Sequence, residues 1–150
     1  MSNENAAIQS RWFEEVWNKG REEAIEEMFA EDGIAYGLGE SEVDVRGPAE
    51  YRPFFQRLRG AFPDIKVTIE DAISEGDKVG ARWVAEMTHT GDHLGIPATG
   101  KRVKIRGVLI SRFRDGKIIE SWNSWDTLGL LQQIGAISST TKILEKQQQA

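Results

Sequence analysis

A chain of 150 residues, 39% hydrophobic and 29% charged, has the size and make-up of one globular domain with room for a core and a ligand cavity. Its 19 basic against 24 acidic side chains leave a net charge of −5, which argues against nucleic acid or an anionic membrane as a partner of the whole surface. With no cysteine, disulfides, thiol nucleophiles and Cys-based metal sites are excluded, and with His89 and His93 as the two histidines a His-rich metal centre is not expected.

The polar opening stretch lacks the cationic region and apolar run of a secretory signal, and no segment approaches the ~20 apolar residues that span a bilayer. The expected address is the cytoplasm. From Asn5 to Lys19, Ile8, Trp12, Phe13, Val16 and Trp17 recur at helical spacing, opposite Arg11, Glu14 and Glu15. Gly20 suits the cap that ends this helix. A second short helix buries Ala24, Ile25, Met28 and Phe29 and stops at Gly33. A short strand over Ile34 to Leu38 and a loop lead to a third helix, with Pro48 in its first turn and Tyr51, Phe54, Phe55 and Leu58 on one side.

Beyond Asp64 the apolar period becomes two, and the chain reads as antiparallel sheet. A three-residue loop, Glu75-Gly76-Asp77, pairs Ile69 with Trp83 and Val67 with Ala85, and sets Glu70 against Arg82 and Lys66 against Glu86. Strict alternation turns the charge of Asp71 inward, so a bulge that rotates it outward is the favoured reading. Asp115-Gly116 is a strong two-residue hairpin turn. Its register pairs Phe113 with Ile118, Ser111 with Glu120, Leu109 with Trp122, Gly107 with Ser124 and Ile105 with Asp126. Trp122 and Asp126 then face inward, and Asn123 and Trp125 face outward, the latter opposite Arg106. A short helix with Leu128, Leu131 and Ile134 follows. The domain is placed at 1–137, and 138–150 is expected to be a loose polar tail.

Helices followed by a long meander make an α+β fold: a curved, cone-shaped antiparallel sheet wrapped by its N-terminal helices, with an apolar pocket inside. Asp126 is the leading chemical candidate. A carboxyl held beside Trp122 and Ile105 is desolvated, its pKa rises, and one such group can act as base and then acid. The competing role is the N-cap of the helix that follows. His89 shares the parity of Met87, Trp83 and Val79 and is expected to face inward opposite Val103, with His93 in a Gly-flanked loop. Trp12, Trp17, Phe54, Phe55, Trp83 and Trp122 are candidates for an aromatic wall, and Glu120 is expected to pair with Arg112 or Arg114.

Three blocks, "RWFEEVWNKGREEAIEEMFAEDG", "MTHTGDHLGIPATGKRV" and "RFRDGKIIESWNSWDTLGLLQQIG", resemble the SnoaL-like polyketide cyclase and ester cyclase family of the nuclear transport factor two-like cone fold. The resemblance runs from about Ile8 to Gly135. It implies a homodimer formed through the outer sheet face and cofactor-free intramolecular aldol chemistry on a hydrophobic carbonyl compound. It also implies Asp126 as the catalytic acid/base, with His89 as a pocket residue of the catalytic site and Asn18 beside it; Tyr36 is expected to help them orient the substrate. Trp17, Phe55, Trp83, Met87, Leu109 and Trp122 complete the expected substrate-binding set. Tyr36 stands where many relatives carry a His, and Tyr is a poor base at neutral pH. Two alternatives remain: epoxide hydrolase-like addition of water, against which the outward Arg112 argues, and a pocket that binds a small molecule without turning it over.

Overall fold

A computed structural model describes residues 2–39 and 43–149; residues 40–42, in the loop expected after Leu38, lie outside the described set. The first helix, α1 (Ser2–Arg11), continues without a break into a π-helical turn over Trp12–Asn18. The wider winding shows in the backbone bond from Lys19 N–H to Glu14 O at 2.9 Å, five residues back, and a bond from Arg21 N–H to Glu15 O, also 2.9 Å, closes the end past the left-handed Gly20. It turns two adjacent pairs, Trp12-Phe13 and Val16-Trp17, into the core together. Helix α2 (Ala24–Met28) is shorter than expected. The chain is already extended at Phe29, and Gly33 lies within strand β1 (Phe29–Tyr36) instead of stopping a helix. Strand β2 (Val45–Arg46) leads into α3 (Gly47–Ala61), whose buried side carries Tyr51 and Phe55.

Strands β3 (Lys66–Glu75), β4 (Lys78–Thr88), β5 (Arg102–Arg114) and β6 (Lys117–Trp125) form two successive hairpins. The curved six-stranded sheet runs β2-β1-β6-β5-β4-β3. Its neighbours are antiparallel except β1 beside β6, which are parallel. Helix α4 (Thr127–Gln133) follows, and the segment expected to be a loose tail is helical over Thr140–Gln149, α5. Asp64 ties the end of α3 to the sheet, accepting from Thr88 N–H and Thr88 Oγ1, both at 2.7 Å. No helix among the described residues is long and apolar enough to cross a membrane.

Each hairpin contains one register shift, and the two have opposite consequences for the expected pairing. In β3 the shift lies between Ile69 and Asp71, and Glu75 pairs directly with Lys78 across a two-residue loop. The shorter loop and the extra residue cancel, so Ile69–Trp83, Val67–Ala85 and Lys66–Glu86 pair as the sequence predicts. Asp71 turns outward to Arg82, 3.7 Å away, as the bulge reading requires. In β6 the shift follows Ile118, because Phe113 pairs with Ile118 but Arg112 pairs with Glu120. Ile119 is the extra residue. Every later partner moves by one: Ile110 faces Trp122, Leu109 faces Asn123 and Gly107 faces Trp125. The expected face of β6 is therefore inverted beyond the bulge. Asn123 and Trp125 point into the cone, and Trp122, Ser124 and Asp126 point away from it.

Candidate functional site

The π-helical turn, α3 and the concave face of the sheet enclose an aromatic cavity of about 80 Å³. Trp12, Phe13 and Trp17 form its roof, Phe54 and Leu58 close one side, and Trp83, Leu109 and Trp125 form the floor. A much larger space of about 830 Å³ opens beside it between α3, α4 and the loop carrying Leu94 and Ile96. The two share Leu38, Phe54, Leu58 and Trp125. Since benzene enters an apolar cavity of roughly 150 Å³, the inner space admits only one end of a ligand, and the rest lies in the mouth.

Polar chemistry inside is sparse. Asn123 Nδ2 donates to Tyr36 O at 3.0 Å, to Ser121 O at 3.4 Å and to Ser121 Oγ at 3.0 Å. These acceptors fix which end of the amide is NH2 and leave Oδ1 as an unspent acceptor. Trp125 Nε1 donates to Leu38 O at 2.6 Å. Tyr51 is buried, and burial pushes its phenol above the ordinary value, with hydrogen bonds from Trp17 and Trp12 working the other way. It is a neutral hydroxyl throughout the physiological range. Among the described residues lining the inner cavity there is no carboxylate, histidine, lysine or arginine.

Four of the expected site residues line the cavity: Trp17, Trp83, Met87 and Leu109. Phe55 is buried behind it, its ring 5.4 Å from that of Trp17. Asn18 spends its amide on Val67, donating to the carbonyl at 2.9 Å and accepting from the N–H at 2.6 Å, so it pins the helix to β3. Tyr36 and Trp122 lie outside as a stacked pair, 5.9 Å and 18° apart, with Lys78 Nζ 5.8 Å from the Trp122 ring. Glu120 pairs with Arg112 at 2.7 Å, one of the two expected partners.

His89 faces inward but lies opposite Lys101, whose carbonyl accepts its N–H at 2.9 Å; Val103 faces Met87 instead. The ring is fully buried against Phe62 and does not line the cavity. Its Nδ1 accepts from Thr99 N–H at 3.2 Å, holding together the base of the Gly-rich loop. Asp126 is exposed and occupies the N-cap of α4, where its Oδ1 accepts from Gly129 N–H at 2.8 Å. Its placement in the pocket is thus corrected: the extra residue in β6 puts it on the outer side of the sheet. Asn123 and Trp125, expected on the outer face, line the cavity instead.

Residues 7–134 match the family described as SnoaL-like polyketide cyclase. The chain is 29% identical to the aklanonic acid methyl ester cyclase DauD of Streptomyces species strain C5, over 81% of this chain and 76% of that protein. Among solved structures, AclR from Streptomyces galilaeus is similar with a TM-score of 0.83 at 25% identity, covering 99% of this chain and 91% of its own. IdmH from Streptomyces antibioticus gives a TM-score of 0.75 at 29% identity, over 87% of this chain and 98% of that one.

Proposed function

Because the chain belongs to the SnoaL-like polyketide cyclase family, we propose that it binds a hydrophobic, oxygen-bearing small molecule end-on in the aromatic cavity. The observation that carries this reading is the lining of the inner cavity: four tryptophans, aliphatic side chains, one oriented amide and the neutral phenol of Tyr51, with no carboxylate, histidine, lysine or arginine among the described residues there. Binding without acid/base turnover fits that lining better than an aldol step at Asp126. In the free protein 2-acetylnaphthalene should quench tryptophan emission saturably, since Trp12, Trp17, Trp83 and Trp125 all touch the cavity. A hydrophobic diketone able to close by intramolecular aldol reaction should bind and remain open.

One observation favours turnover instead: the similarity to DauD, which is a cyclase. Ring closure of the diketone that disappears in Asp126→Asn would establish that second reading and overturn the first.

We propose also that a second copy of the chain covers the outer sheet face. Ile73, Val108, Ile110 and Trp122 are 75%, 53%, 49% and 39% exposed there, an apolar cluster of the kind that marks an interface. Sedimentation should give twice the mass of one chain, and Ile110→Lys should halve it. A monomer in the unaltered protein at micromolar concentration would sink this assignment.

A further inference from the structure

A small chamber of about 20 Å³ adjoins the aromatic cavity and shares Trp12, Leu38, Tyr51, Leu109 and Asn123 with it. That is room for one oxygen-sized group, since a single water needs roughly 10–15 Å³. We infer that this chamber is the subsite for a hydroxyl or enol oxygen at the leading end of the ligand, held by Ser111, Ser121 and Asn123. The inference rests on the cavity being a small-molecule site.

The geometry comes from one rung of the β5–β6 hairpin. Ser111 and Ser121 are directly paired and both line the chamber, which sets their Cβ atoms about 5 Å apart. Ser111 is 0% exposed and its Oγ has no hydrogen-bond partner in the protein. Ser121, 8% exposed, accepts from Asn123 Nδ2 and keeps its own proton to donate. Asn123 contributes Oδ1, left free because its NH2 is committed to the carbonyls of Tyr36 and Ser121. Ser111, Ser121 and Asn123 thus offer two hydroxyl donors and one acceptor around a volume of one atom, beside the neutral phenol of Tyr51.

A ligand hydroxyl matches all three: it gives its proton to Asn123 Oδ1 and accepts from the serines. A methyl group of the same size leaves a buried hydroxyl unpaired, which is the costly arrangement. A carboxylate exceeds the space and meets no cation among the lining residues. The subsite therefore selects neutral compounds whose leading atom is an –OH, such as phenols and enolised ketones.

The test compares 2-naphthol with 2-methylnaphthalene, which differ at one heavy atom, by titration calorimetry on the full chain. The unaltered protein should bind 2-naphthol about ten-fold more tightly, a ratio one well-made buried hydrogen bond can supply. Ser111→Ala should lower that ratio, weakening 2-naphthol and relieving the penalty on 2-methylnaphthalene, and Ser111→Ala combined with Ser121→Ala should bring it close to one. Equal affinities in the unaltered chain would overturn the subsite, as would a ratio that survives Ser111→Ala combined with Ser121→Ala. Either result leaves the cavity as the binding site. Failure of both probes to bind overturns the subsite and the reading of the cavity together.

Discussion

Asn123→Asp should lower stability at pH 7 by about 2–5 kcal/mol, although the two side chains have nearly the same shape. The amide nitrogen donates to two backbone carbonyls, Tyr36 O and Ser121 O. A carboxylate oxygen in its place faces those carbonyls as acceptor against acceptor, and each unpaired buried group costs about 1–3 kcal/mol. For a domain of this length each kcal/mol shifts the melting temperature by about 2–4 °C. The pH dependence separates the charge from the lost bonds. An ionised carboxylate among tryptophans is desolvated, so its folded-state pKa lies above its unfolded value of about 3.9. The charge penalty is then complete above the folded pKa and disappears as pH falls through it towards the unfolded value. Thermal melts should show a deficit that narrows from pH 8 to pH 5, whereas Asn123→Leu should show one that does not move. A flat deficit in the Asp variant, or none, is incompatible with an inward amide at this position.

Gly107→Val should cost about 1–3 kcal/mol and abolish binding in the cavity. Gly107 pairs with Trp83 on one side and Trp125 on the other. Its φ is not positive, so the requirement is space and not backbone conformation. A Cβ there would lie 2.6 Å from Trp83 Cε2 and 2.9 Å from the Cβ of Trp125. Neither neighbour is a flexible side-chain tip, so the indole of Trp83 has to swing away, and overpacking of this kind has the cost quoted. The free volume it can enter is the ligand's own, about 80 Å³. Quenching by 2-acetylnaphthalene should vanish in the variant. Full binding with an unchanged melting temperature would mean that Trp83 is not held over Gly107.

The sequence reading and the structure part at identifiable residues. The aromatic stripe of the first helix, the switch of period after Asp64 and both hairpin turns were legible, because each rests on a strong local signal. The first hairpin kept its register since two displacements, a loop shorter by one and a bulge at Glu70, cancel. The second failed at a single place. Ile118 and Ile119 are both apolar and both buried, so the pattern carries no contrast where the extra residue is inserted. Beyond it, "SWNSWD" supports either phase, since a tryptophan faces inward in each. Cross-strand charge offered the one available signal, because Arg112 opposite Glu120 is better than Ser111 opposite Glu120. The early end of α2 was hidden because Phe29 and Ala30, though extended, are buried much like the helical residues before them.

The cap at the start of α4 bears on how any Asp126 variant should be interpreted. Helix α4 has seven residues, too few to persist on its own, and it presents Leu130 and Leu131 to the mouth. One bond from Asp126 to Gly129 therefore helps set how much of the time that doorway keeps its shape, and removing a cap typically costs ~1 kcal/mol. An alanine here would impair ligand uptake whatever the chemistry, and a loss of activity would imitate the loss of a proton donor. Asparagine caps a helix about as well as aspartate but carries no titratable proton. It alone separates a doorpost from a catalyst.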